Sequence, residues 1–139
     1  MTSASRLASR AAIVLLAAGV GLASAATVRV RLTGSHEVPP VKTLARGSGV
    51  IDVAANGAVR GKITTRGIHG TMAHIHEAAP GENGPVIIPL APGPHGSWVV
   101  PAGSRLSADQ YKAFLAGDLY INVHSKAHPG GEIRGQLKP

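Results

Sequence analysis

His74, Ile75 and His76 place two imidazoles two residues apart in a stretch that reads as a β-strand. Successive side chains of a strand leave opposite faces, so both rings share one face and Ile75 takes the other. Their side-chain origins then lie roughly 6.5–7 Å apart, a gap that two rings can close onto one ion at about 2.0 Å per bond. Leu119 to His124 repeats the alternation, with Tyr120, Asn122 and His124 on one face and Leu119, Ile121 and Val123 on the other. If the two stretches lie side by side, His74, His76 and His124 form a three-imidazole metal set. Imidazole suits copper, and Cu(II) accepts square-planar nitrogen ligands. Zinc is the competitor, because three histidines plus water is a catalytic-type zinc set. A fourth ligand would come from His69, His95, His128 or water. A ligating histidine gives its other N–H to an outer partner, for which Glu77, Glu132 and Asn122 are candidates. Glu132 and Arg134 share a strand face, however, and are expected to pair with each other.

The elements that must position these rings are mostly strands. Thr27 to Leu32 alternates Val28, Val30 and Leu32 against Arg29 and Arg31, as a half-buried strand does. Pro39 and Pro40 interrupt with an extended loop, and strand character returns from Gly49 to Val53. Asn56-Gly57 between Val50–Val53 and Val59–Thr64 signals a hairpin. Ala78 to Gly84 reads as an exposed loop. Val86-Ile87-Ile88 is an unbroken apolar run that predicts a strand buried on both faces. Trp98 anchors another short strand after a proline-rich loop. Ser107 as N-cap, Gln110 three residues later, a stripe of Tyr111, Phe114 and Leu115 facing the core, and Gly117 at the end predict one helix of two to three turns. A turn at His128 to Gly131 leads to a last strand through Leu137. About eight short strands with regularly spaced turns and one helix predict an all-β fold, an antiparallel sandwich of immunoglobulin-like type.

The first 25 residues are expected to be a secretory signal peptide rather than domain. Arg6 and Arg10 precede the apolar run from Ala11 to Leu22, and Ala23-Ser24-Ala25 supplies small residues for cleavage. That run is short for a membrane span, and residues 26–139 contain no second candidate, so no transmembrane segment is expected in the mature protein. A secreted or periplasmic location follows. Removing Arg6 and Arg10 leaves 12 basic and seven acidic residues, a basic balance that favours anionic ligands. Nucleic acid is excluded as the expected partner, because the cations are scattered singly and four aromatics offer little to stack on bases. No cysteine is present, so no disulfide supports the fold. No serine nucleophile has a visible histidine and aspartate arrangement, and no phosphate-cradling glycine loop occurs.

Several segments resemble the CHRD family, named after the animal protein chordin and widespread in exported bacterial proteins. They are Glu37-Val38-Pro39-Pro40, Ala73-His74-Ile75-His76, Gly81 to Val86, Ala116 to His124 and Gly130 to Leu137, in the family's order and across nearly the whole of residues 26–139. His36 departs from the family, which more often has another polar residue there. The resemblance implies a β-sandwich related to immunoglobulin domains and, in chordin, an extracellular setting. A more distant likeness is to copper/zinc superoxide dismutases, Greek-key β-sandwiches that hold copper with a His-x-His pair and a later histidine in a Val-His-x-Lys context. Here His74-Ile75-His76 and Val123-His124-Ser125-Lys126 are similar, in the same order but closer together, without the stretch that would carry zinc ligands and a bridging histidine.

These likenesses imply an exported copper-binding protein. If they extend to activity, copper cycling between two oxidation states would dismutate superoxide, a small anionic substrate for which Arg66, Lys126 and Arg134 are available as guides. The alternatives are a non-catalytic extracellular interaction or scaffold module, and a copper storage or delivery protein.

Overall fold

A computed structural model describes residues 26–139; the expected signal peptide lies outside the described residues. Nine strands make up the sheet: β1 (Ala26–Thr33), β2 (Arg46–Val53), β3 (Val59–Arg66), β4 (Gly70–Glu77), β5 (Val86–Pro89), β6 (Ala91–Pro92), β7 (Ser97–Val99), β8 (Leu119–Ser125) and β9 (Ile133–Leu137), with one helix, α1 (Ala108–Ala116). Every pairing is antiparallel, in the order β5-β4-β8-β9-β1-β2-β3-β7-β6. After the β1–β2–β3 meander the chain crosses to β4, and after β7 it crosses back through α1 to β8, which is inserted between β4 and β9. This interleaving is the Greek-key arrangement expected of the sandwich.

Two layers result because β9 and β1 share a single register pair, Thr33 with Arg134. On one side lie β5, β4, β8 and β9, and on the other β1, β2, β3, β7 and β6. At the far edge the layers meet again where Leu90 turns the chain from β5 to β6, its N–H donating to the Ala73 carbonyl at 2.9 Å. The sheet is therefore nearly closed, which leaves little free edge.

Alternation decides what fills the interior. Val28, Val30 and Leu32 from β1, Ile51 and Val53 from β2, Ile63 from β3, Ala73 and Ile75 from β4, and Leu119, Ile121 and Val123 from β8 all point inward and are buried. Trp98 closes the core, and the tip of its ring packs against Gly70. A side chain at Gly135 would meet the Arg31 carbonyl, so glycine is what lets β9 approach β1.

Two local expectations are corrected. Val86 is 48% exposed and only Ile88 of its apolar run is buried, because β5 is an edge strand paired with β4 alone. Leu115 is 54% exposed while Phe114 is fully buried, since the short helix lies on the core with a narrower face than its apolar stripe. The hairpin expected at Asn56-Gly57 is present, joining antiparallel β2 and β3 with Gly57 at positive φ (86°). The helix ends follow the reading: Ser107 and Gln110 form a reciprocal capping box and Gly117 closes the helix in the left-handed conformation.

Candidate metal centre

The register of β4 against β8 pairs His74 with Asn122, His76 with Tyr120 and Met72 with His124. His74 and His124 are diagonal neighbours across two adjacent strands, and all three imidazoles lie on the sandwich's outer face, opposite the core-facing Ala73, Ile75, Ile121 and Val123. One ligand atom from each histidine can be chosen so that all three lie within 4.8 Å of one another. His76 and His124 are 7% exposed and His74 is half-buried, so the group opens to solvent on the His74 side.

Loops, rather than acidic side chains, orient the rings. Nδ1 of His76 donates to the Gly84 carbonyl at 2.9 Å, and Nδ1 of His124 donates to the Pro129 carbonyl at 2.8 Å. A carbonyl oxygen only accepts, so both neutral rings carry their proton on Nδ1 and keep the lone pair on Nε2. His124 then accepts at Nε2 from Nδ1–H of His74, at 3.0 Å. Nε2 of His76 faces Oδ1 of Asn122 at 2.8 Å. With oxygens at both nitrogens the ring makes both bonds only as imidazolium. As neutral imidazole it keeps the Gly84 bond, and a half-turn of the Asn122 amide offers an N–H to Nε2. Burial pushes the pKa of His76 down, against the hydrogen bonds to Gly84 and Asn122. Burial likewise lowers that of His74, reinforced by His124 and His76. Neutral rings are the form a metal ion requires.

Around this cluster the side chains form a layered support. The Tyr120 ring stacks on His76, centroids 4.6 Å apart and planes within 3°, and the Arg134 guanidinium lies 3.4 Å from the Tyr120 centroid. Because β4 and β9 flank β8 on opposite sides, Tyr120 is held between the two. Arg134, 1% exposed, donates to the carbonyls of Glu82 (2.7 Å) and Ala79 (3.2 Å), which fixes the 78–85 loop that carries Gly84. The 126–131 turn that carries Pro129 is held by Glu132, which accepts from Thr43 and Ser125, while Ser125 accepts in turn from the His128 N–H. Burial opposes ionisation of Glu132, but the bonds from Ser125 and Thr43 and the nearby His128 outweigh it and hold its carboxyl below its usual value.

The expected outer partners are thus partly corrected. Asn122 touches His76. Glu132 acts one step further out and does not pair with Arg134, and Glu77 makes no side-chain hydrogen bond to the histidines. His69, His95 and His128 are not part of the cluster. His69 sits in the turn between β3 and β4, and His95 stands in a left-handed conformation (φ 56°) on an exposed turn. Arg134 is no surface guide for an anion, because its charge is committed to Tyr120 and the loop carbonyls.

One residue near the site was not singled out by its chemistry. Glu37 is 5% exposed, stands beside Asn122, and leaves Oε1 without a partner. Burial raises its pKa to about 7 despite Arg134 and Asn122, which pull it down. Glu37 thus lies next to Asn122, the residue that touches His76. The signal that marks it is the Glu37-Val38-Pro39-Pro40 segment, whose position in the sequence does not reveal that the loop folds under the site.

A family model for the CHRD domain matches residues 28–137, and the chain belongs to the CHRD family. The match spans every strand and the helix. Comparisons with curated proteins and with solved structures find no match.

Proposed function

We propose that this CHRD-domain protein is exported and binds one copper ion through His74, His76 and His124. The observation that carries the reading is the convergence of three imidazoles, two of them with Nδ1 tied to a backbone carbonyl. That arrangement orients a histidine toward a metal through Nε2. The spacing of the closest donor pair supports the reading. Two ligands at about 2.0 Å from a metal are about 2.8 Å apart at a right angle and about 3.3 Å apart at the tetrahedral angle, and the His74–His124 separation of 3.0 Å falls between. An all-imidazole set suits Cu(II), with zinc the competitor.

Bound copper would supply one-electron redox chemistry, and with it dismutation of superoxide. The chain's own contribution is to hold the rings, to keep Nε2 of His76 and His124 unprotonated, and to leave the half-buried His74 side for a small anion. Lys126 is exposed and available to attract it. A second reading is favoured by a specific observation: the rings already satisfy one another and Asn122 by hydrogen bonds. A non-catalytic extracellular module, with these histidines knitting loops together, accounts for that equally. Copper storage or delivery would bind the ion without turnover.

The untagged protein is titrated with copper and with zinc, its Cu(II) EPR spectrum recorded, and superoxide removal assayed, alongside the His74→Ala, His76→Ala, His124→Ala triple variant. One copper per chain, with nitrogen hyperfine structure lost in the variant, supports the site. Weak binding that is the same in both proteins hands the role to the interaction module. Tight binding without superoxide removal leaves storage or delivery.

A further inference from the structure

The outer face of β1, β2 and β3 carries a concentration of cations that the histidine site does not use. Register places Arg29 beside Val50 and Lys62, Arg31 beside Ser48 and Thr64, and Thr33 beside Arg46 and Arg66, all directed away from the core. A groove of about 850 Å³ runs over all of these residues but Lys62. Of the acids only Asp52 stands on this face, at one end, where it accepts from Thr27 at 2.6 Å and lies 3.6 Å from Arg60. Arg29, Arg31, Lys62 and Arg66 are exposed and have no carboxylate partner among the described residues. Arg46, half-buried, spends one nitrogen on the Thr43 and Ala45 carbonyls.

Like charges so close together repel, and no contact within the chain offsets the repulsion, so an anionic occupant is the complement this face lacks. The array extends about 13 Å along β1 and about 10 Å across three strands, a strip rather than a pocket. Its cations are mainly guanidinium groups, which meet planar carboxylates and sulfates with paired N–H donors. Between them stand the hydroxyls of Thr33, Ser48 and Thr64, suited to sugar hydroxyls. The face has no aromatic ring on which a base could stack. None of the large exposed apolar side chains, Leu44, Met72, Val86, Val99 and Leu115, lies on β1, β2 or β3, so nothing there would enter a bilayer.

We propose that the β1–β2–β3 face is a docking surface for a linear acidic polysaccharide. The surface holds the domain on a charged glycan of the cell envelope or its surroundings, independently of whether the histidines bind metal.

The full chain is tested for binding to a polyuronate and to a sulfated glycosaminoglycan at low salt, with duplex DNA and anionic phospholipid vesicles as comparison ligands at the same salt. The expected result is glycan binding that weakens as salt rises and falls at least about tenfold in Arg31→Glu/Arg66→Glu. Lys112→Glu/Lys126→Glu makes the same change in net charge on α1 and the turn after β8 and should keep the affinity. Arg29→Ser/Lys62→Ser is the milder second variant, and melting curves verify that each protein folds. Equal losses in the Lys112/Lys126 variant, tighter binding to DNA or vesicles than to either glycan, or no glycan binding at low salt would overturn the proposal.

Discussion

At the scale of single residues, the centre is a set of proton inventories. Two carbonyls place the protons of His76 and His124 on Nδ1, and burial keeps His74 and His76 neutral at pH values where a free imidazole is charging. Copper binding should therefore persist below pH 6.5 and fail only under stronger acid, which a titration of affinity against pH measures. The same lowered pKa values mean that the unfolded chain binds more protons below its histidine pKa, so these two groups make stability rise with pH through that range. Glu37 acts in the opposite sense. Its folded pKa is raised to about 7 from 4.5, so its contribution is full below pH 4.5 and is lost as pH rises through 7. Glu37→Gln, neutral at every pH, should be more stable than the parent at pH 8 and no more stable at pH 4, as judged by urea midpoints. Gly131 has φ 123°, and a Cβ there would stand 2.5 Å from Oε1 of Glu37 and 2.7 Å from Nδ2 of Asn122. Gly131→Ala should cost on the order of 2 kcal/mol and weaken metal binding with it. The shared face of His74 and His76 was legible from spacing alone because strand alternation is local. Glu37 was not, because its place beneath the site depends on how the 37–45 loop returns.

At the scale of elements, strands carry the candidate ligands and loops aim them. The 78–85 loop supplies the Gly84 carbonyl and is itself held by Arg134, which replaces the expected ion pair with Glu132 by a set of carbonyl contacts. Arg134→Met keeps the packing on Tyr120 but leaves the Ala79 and Glu82 carbonyls unpaired. It should cost about 3 kcal/mol in chemical unfolding and lower copper affinity, although no ligand is changed. The helix offers a control remote from the site. Ser107 accepts from the Gln110 N–H at 3.1 Å, and Ser107→Ala should cost about 1 kcal/mol and leave metal binding intact. Caps and strand periods were readable because each is written within a few residues. The burial of β5 was not, since an apolar run cannot say whether its strand will be flanked on one side or two.

At the scale of the whole molecule, the outer surface of the sandwich is divided by chemistry. Histidines and their supports occupy β4, β8 and β9, while the cations occupy β1, β2 and β3, and the two regions meet at the Thr33–Arg134 pair. A ligand that binds only the folded state adds to stability by mass action. Copper at about a hundred times its dissociation constant should therefore raise unfolding free energy by roughly 2.7 kcal/mol. Calorimetry with and without a chelator checks this, and the triple histidine variant should show no such gain. The sequence by itself determined the all-β class, the helix with both its ends, the CHRD family and the shared face of His74 and His76, because these rest on alternation, capping chemistry and short motifs. The tertiary structure alone decided that β8 lies beside β4 in the register that brings His124 to His74. It also decided that backbone carbonyls hold the rings, and that scattered arginines gather on one face. Pairing between segments some fifty residues apart is selected by the packing of the whole core, which no local stretch of chain encodes.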